Sequence, residues 1–213
     1  ALVSGPIIAF APAGWSIVST GDFNNDGKSD VIWRHTSGQF AIWMMNGGTL
    51  TAGPLYANVT PNWTLSAVAD FNGDGKPDIL WREDNGAVAI WLLDGTTFLG
   101  GQIIGTAPVN WTIAGAGDFD GDGKSDILWR GPGGEVAIWF MNGATITSAP
   151  AVSTPSSTWT IAGTGDFNAD GKSDILWRGP SGEVSIWMMN GPSIASGPLV
   201  GSAPTTWSIQ GMR

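Results

Sequence analysis

The 213-residue chain has no cysteine, one histidine and one tyrosine, and only 13% of its residues are charged. Without cysteine there is neither a disulfide nor a thiolate metal site. His35 is the sole histidine; with Thr36 and Ser37 beside it, it reads as an exposed turn residue rather than half of a nucleophile–base pair. Basic residues are scarce as well, 9 against 18 acidic ones, for a net charge of −9 and a pI near 4.2. That balance excludes nucleic acid as a partner, because phosphate binding needs clustered Lys and Arg. No apolar run reaches the roughly 18 residues that cross a bilayer, so no membrane span is expected, and no signal peptide opens the chain. No window shows a helical period.

What the chain does have is glycine, 32 of them, and 13 tryptophans. Trp15, Trp63, Trp111, Trp159 and Trp207 recur every 48 residues, and "GDFNNDGKSDVIWR" at Gly21 returns at the same interval from Ala69, Gly117 and Gly165. A period of about 40 to 50 residues marks solenoids and propellers. The register defines four repeats, residues 15–62, 63–110, 111–158 and 159–206. Residues 1–14 match the tail of a repeat and residues 207–213 its head, which predicts an outer strand of a shared blade at one end and the first strand of a further blade at the other.

Within the fourth repeat, alternation and turn residues place strands on "WTIAGTGDF", "SDILWR", "EVSIWMMN" and "SIASGPLVG", with Asn190-Gly191 supplying a hairpin turn. Strands two and three are apolar on both faces, so sheets must pack on either side of each unit. The expectation is an all-β chain, a β-propeller built from 48-residue four-stranded blades, four full repeats with part-blade strands at both termini.

The segment between strands one and two concentrates oxygen. In "DFNADGKSD" the side chains of Asp166, Asn168 and Asp170, the carbonyl of Lys172 and the carboxylate of Asp174 fall at loop positions one, three, five, seven and nine, with Gly171 at six. Those are calcium-loop positions, and so many carboxylates this close repel unless a cation joins them. The same reading covers Asp22, Asn24, Asp26, Lys28 and Asp30; Asp70, Asn72, Asp74, Lys76 and Asp78; and Asp118, Asp120, Asp122, Lys124 and Asp126. The third loop, with Asp120 where the others have Asn, is expected to hold Ca²⁺ tightest. At position twelve Trp177 replaces the Glu of an EF-hand, and a strand follows, so this is not an EF-hand. The alternative is an Asx-rich hairpin turn with solvated carboxylates.

This pattern resembles the FG-GAP or VCBS repeat of integrin α-subunit propellers and of many secreted bacterial proteins, over essentially the whole chain. The D-x-[DN]-x-D-G-x-x-D loop is the most specific element, and the resemblance implies Ca²⁺ at the Asp22, Asp70, Asp118 and Asp166 loops. The Trp-rich, charge-poor wording "GDFNGDG…ILWR…IWMMNG" is similar to bacterial propeller lectins of the PLL-like group, which bind fucose and related sugars, although those have more repeats than this chain. A multivalent lectin for fucose-like or methylated sugars is therefore expected, secreted, with glycans or glycoconjugates as partners. The alternatives are a calcium-dependent adhesion or protein-interaction propeller and a purely structural one.

Strand directions place the two-to-three turn and the four-to-one crossover at the end opposite the acidic loop. Trp15 with Arg34, Trp63 with Arg82, Trp111 with Arg130 and Trp159 with Arg178 then share that face, an indole for a sugar's C–H face beside an Arg donor for its hydroxyls. The competing reading makes each such Trp interblade core and each Arg a cap on a carbonyl or a partner for a loop Asp. No enzyme is expected: Glu135 and Glu183 correspond to Gln39 and Ala87, and with Glu83, Asp84 and Asp94 they read as solvated turns. Open blade faces at both ends predict a homo-oligomer that completes the ring.

Overall fold

The computed structural model describes residues 12–56 and 58–209. Every regular element among them is a β-strand. Repeat one comprises β1 (Trp15–Gly21), β2 (Asp30–His35), β3 (Phe40–Asn46), β4 (Thr49–Ala52) and β5 (Leu55–Tyr56). Repeat two has β6 (Trp63–Ala69), β7 (Asp78–Glu83), β8 (Ala87–Asp94) and β9 (Thr97–Thr106). Repeat three has β10 (Thr112–Gly117), β11 (Asp126–Arg130), β12 (Val136–Asn142), β13 (Thr145–Ser148) and β14 (Ala151–Ser153). Repeat four has β15 (Thr160–Gly165), β16 (Asp174–Arg178), β17 (Glu183–Asn190), β18 (Ser193–Ser196) and β19 (Leu199–Ser202). Each repeat is one antiparallel meander, the first strand at one edge and the fourth at the other. The four-stranded blades expected from sequence are thus present at the expected positions. In three of them the fourth strand is broken in two, at Pro54, Pro150 and Pro198, because proline cannot donate to the ladder.

The blades stack through alternate faces of their middle strands, as side chains pointing to opposite sides of a sheet require. Ile32, Phe40 and Ile42 of repeat one meet Ile79, Trp81 and Leu93 of repeat two in one core. Leu80, Val88 and Ile90 then meet Ile127, Trp129 and Met141. Leu128, Val136 and Ile138 meet Ile175, Trp177 and Met189. Three cores join four blades among the described residues. The first strands lie side by side in the order β1, β6, β10, β15. Between them runs a cleft of about 450 Å³ lined by residues such as Ser66, Gly115 and Thr164.

Among the described residues no blade follows repeat four, and its outward face is less buried than those of the other repeats. Phe167 is 38% exposed, whereas its counterparts Phe23, Phe71 and Phe119 are fully buried, and Leu176, Val184 and Ile186 are only half-buried. The predicted outer strand in residues 1–14 lies almost wholly outside the described residues. Of residues 207–213 only 207–209 are described, and these carry no strand.

Each two-to-three turn docks on the crossover that leaves its own blade. Gly182 has a φ of 101°, and a Cβ there would lie 2.2 Å from the Ala203 carbonyl oxygen. Gly134 repeats this against Pro155. Only glycine combines that backbone with so close an approach. The turns therefore bring crossover, turn and second-strand arginine together on one rim.

Candidate functional site: two rims of the blade array

The acidic rim is built from the loop after each first strand. Asp118 turns its carboxylate onto its own loop: Oδ1 accepts from the amides of Gly121 and Asp122 at 2.6 and 3.2 Å, and Oδ2 from Gly123 at 2.8 Å. Asp22, Asp70 and Asp166 likewise accept from Gly27, Gly75 and Gly171. These glycines adopt φ near +80°, the sharp turn read at position six. Position four is left-handed too, as Gly73 and Gly121 in the middle repeats but as Asn25 and Ala169 in the outer ones.

The ninth-position carboxylates face inward. Asp30, Asp78, Asp126 and Asp174 are buried, and each ties the loop to the third strand. Asp126, for example, accepts from Phe119 at 2.9 Å through Oδ2 and from Met141 at 2.9 Å through Oδ1. Burial pushes the Asp78 carboxyl up to about 6 and that of Asp126 up to about 7, against the pull of those two amides. The acid at position nine was legible from the spacing. Its tie to the third strand was not, since that partner is 15 residues away.

One loop gathers carboxylates closely enough for a shared ion. Asp118, Asp120 and Asp126 present oxygens that all lie within 4.8 Å of one another. Burial and then the charge of Asp122 raise the Asp120 carboxyl above its ordinary value, as expected of a group short of a counter-ion. In the other loops Asn24, Asn72 and Asn168 replace that carboxylate. Lysine ammonium groups offset part of the carboxylate charge, Lys28 at Asp26 and Lys124 at Asp122, each at 3.3 Å. Lys76 turns away to Asp94 at 2.5 Å. The donor set of the third loop fits a hard, oxygen-loving cation.

The opposite rim carries the tryptophan–arginine face expected from sequence, with the arginines differently employed. Arg34 donates through Nη2 to the carbonyls of Val59, Thr60 and Trp63 at 3.1, 3.0 and 2.9 Å. Arg130 donates to Ser156 and Trp159, and Arg82 and Arg178 to the same stretch of their own crossovers. Arg82, Arg130 and Arg178 also donate through Nη1 to Gly86, Gly134 and Gly182. In addition Arg34, Arg82 and Arg130 stack on Trp81, Trp129 and Trp177 of the following blade at 5.1, 5.1 and 4.9 Å. The arginines thus latch blade to blade and cap carbonyls, the competing reading, and their Nη2 donors are committed.

Hollows recur on this rim. One of about 310 Å³ lies between Arg130, Gly131 and Pro132 on one side and Trp159 on the other. Its counterpart 48 residues on, about 350 Å³, uses Arg178, Gly179, Pro180 and Trp207. In each, the arginine comes from one repeat and the tryptophan from the head of the next, a shift of one repeat from the pairing read in sequence, because the crossover carries Trp over the preceding arginine. A second kind of hollow is walled by three indoles. Trp63, Trp81 and Trp91 line one of about 270 Å³, and Trp159, Trp177 and Trp187 line its counterpart of about 300 Å³. The indole N–H groups of Trp33, Trp81, Trp129 and Trp177 are buried and meet no acceptor. Trp81, Trp91 and their equivalents lie within strands and are not among the rim residues read from sequence. The signal that could have flagged them is small residues at Gly53, Gly101 and Gly197, against which Trp43, Trp91 and Trp187 pack closely.

The remaining polar candidates have local partners. His35 Nδ1 lies 2.7 Å from Ser37 Oγ within one turn. Glu135 and Glu183 accept from the amides of Gly133 and Ser181 two residues before them. Among the described residues no helix is long and apolar enough to cross a membrane.

Comparison with known proteins adds a family. The profile described as an FG-GAP-like repeat matches residues 22–81, 70–129 and 118–177. Among solved structures the chain is similar to BBS1N in complex with ARL6DN, soaked with lead, at 14% identity and a TM-score of 0.50, covering 89% of this chain and 56% of that one. It is also similar to the C-terminal WD40 domain of Sif2, at 13% identity and a TM-score of 0.46, covering 92% and 61%. The chain spans little more than half the length of these structures, and at such identities the likeness concerns the fold alone. No curated protein matches the sequence.

Proposed function

The chain belongs to the FG-GAP-like repeat family, and from that premise we propose that it is a multivalent carbohydrate-binding propeller whose acidic loops hold calcium. The propeller repeat fold supports a protein-interaction or scaffold role; the proposal narrows the partners to glycans or glycoconjugates, fucose-like or methylated sugars first, in keeping with the resemblance of its wording to propeller lectins. The observation that carries it is the recurrence of indole-walled hollows on one rim, with half-buried Trp63 and Trp91 lining one and half-buried Trp159 and Trp187 lining its counterpart. An indole face suits the C–H face of a sugar. With the arginine Nη2 donors held by carbonyls, hydroxyl recognition falls to backbone atoms of the rim. Several weak sites on one rim bind a branched glycan through effective concentration.

Asp118, Asp120 and Asp126, with the matching residues of the other loops, would hold Ca²⁺, whose charge would offset the repulsion among the carboxylates. Millimolar extracellular calcium fills even weak sites, so secretion is the matching setting. The uncovered face of repeat four favours a second reading, an adhesion or structural scaffold in which a second copy continues the blade array and completes the ring.

Glycan arrays followed by titration calorimetry test the sugar reading. Binding is expected, and Trp63→Ala or Trp111→Ala should weaken it with the circular dichroism unchanged. An array without a saccharide hit transfers the function to the scaffold reading. For calcium, EDTA should lower the melting temperature and anomalous scattering should find an ion in the third loop. An unchanged melt with no anomalous peak removes calcium from the account.

A further inference from the structure

The four blades do not end alike. In repeats one, three and four the outermost strand is interrupted at Pro54, Pro150 and Pro198, which stand at the same repeat position. Repeat two has Gln102 there, and its outermost strand β9 runs unbroken for ten residues. β9 pairs only with β8, so its other edge presents unpaired backbone groups. The segment from Thr97 to Thr106 contains no charged residue and no proline. Phe98, Leu99 and Ile103 are 49%, 56% and 61% exposed. Short strands, prolines and charges are what keep such edges from recruiting other chains, and β9 has none of these.

We propose that the free edge of β9 pairs with β9 of a second copy, antiparallel about a twofold axis, joining two repeat-two sheets into one. The occupant follows from the edge itself. An antiparallel edge meeting its own copy offers each donor an acceptor, and the pairing continues the β8–β9 ladder with the same geometry. The chain carries a net charge of −9, yet this segment is neutral, so two copies meet without like charges face to face. A strongly charged partner strand would find nothing opposite. Register shifts in the β8–β9 pairing at Leu92/Leu93 and Val88/Ala89 confine the regular window to the middle of the strand, Gly100 to Ile103. So short a contact makes a weak, concentration-dependent dimer.

The sibling blades supply the test. Gln102→Pro installs the residue that three equivalent strands already tolerate, and Ile103→Lys places a charge on the same edge with the backbone unchanged. All proteins carry Phe167→Glu, which blocks the open face of repeat four, and the near-ultraviolet dichroism of the tryptophans checks folding. Sedimentation velocity from 5 to about 200 μM should show the Phe167→Glu protein rising from 22.2 kDa toward twice that mass at the upper end, as expected of a small interface. Adding Gln102→Pro or Ile103→Lys should return it to a monomer, and adding Pro150→Gln should instead raise the mass beyond the dimer by opening a second edge. A Phe167→Glu protein that stays monomeric throughout overturns the proposal. So does association undiminished by folded Gln102→Pro or Ile103→Lys, which would point to another surface or partner.

Discussion

Repeats two and four share a strand plan and place their prolines at opposite ends of the blade. Repeat four has Pro198 in its outermost strand and Ser173 in its acidic loop; repeat two has Gln102 and Pro77 at those positions. The loop exchange has a visible cost. The Ser173 amide donates to the Asp118 carbonyl of the preceding blade at 2.5 Å, and Ser125 donates to Asp70 at 2.7 Å. Pro77 has no N–H for the corresponding carbonyl of Asp22 and instead brings its ring toward Gly21. At the other rim of the same junction Arg34 leaves Nη1 buried without a partner, where Arg82, Arg130 and Arg178 satisfy theirs. The first junction therefore rests more on apolar packing, with Phe40 edge-on to both Trp81 and Trp91. The blades hold their cores constant and vary the hydrogen bonds at their rims and edges.

The comparison breaks first if the cores are not equivalent. Trp81 and Trp177 are both 1% exposed, so Trp81→Ala and Trp177→Ala should each cost about 3–5 kcal/mol in urea unfolding. Values differing by more than about half of that would mean that the junctions do not share one core.

Acidity gives the next effect. The Asp78 and Asp126 carboxyls titrate near 6 and 7 in the folded chain, above about 3.9 when unfolded. The folded state thus binds more protons than the unfolded one across that window, so these two groups make stability greatest near pH 4 and lower it as pH rises through 6 to 7. Asp166 is held below its ordinary value, first by the Gly171 amide, and its contribution is lost only in stronger acid. In calcium-free buffer the stability read from melting curves should fall from pH 4.5 to 7.5, by about 1–2 kcal/mol once partial solvation is allowed for. A curve rising over that range would contradict the burial of both groups.

The rim exchange is smaller. Ser173→Pro removes an interblade hydrogen bond and should destabilise by about 1 kcal/mol. Pro77→Ser adds the missing donor but loosens the unfolded chain, so the two terms nearly cancel and the change should stay within about 0.5 kcal/mol. Denaturation midpoints of the two variants settle whether that asymmetry is real. Smallest is Lys76→Ala: the Lys76–Asp94 pair lies at the surface, and its loss should leave the same titration almost unmoved.

Strand positions, repeat register, the sharp acidic turns and the placing of Trp and Arg on a common rim were all readable from the chain. Alternation, Asn-Gly turns and an Asp ladder act over a few residues, and four copies of "DF…DG" align them without ambiguity. The acidic loop was also readable as a set of ligand positions, and the rim as a set of indoles. What each polar group does was not. Arg130 could equally have faced a ligand or a carbonyl, and the choice belongs to Ser156 and Trp159, 26 and 29 residues away and brought over it by the crossover.

Local sequence therefore decides which residues form a blade, because strand pairing and turn geometry are satisfied within 48 residues. Tertiary structure decides what the blade leaves free. Whether the phenylalanine of the acidic loop is buried or meets solvent depends on a neighbouring sheet whose face arrives from a different repeat. An identical local signal yields a buried Phe119 and an exposed Phe167, since burial is a property of two packed surfaces and the sequence of one repeat describes only its own.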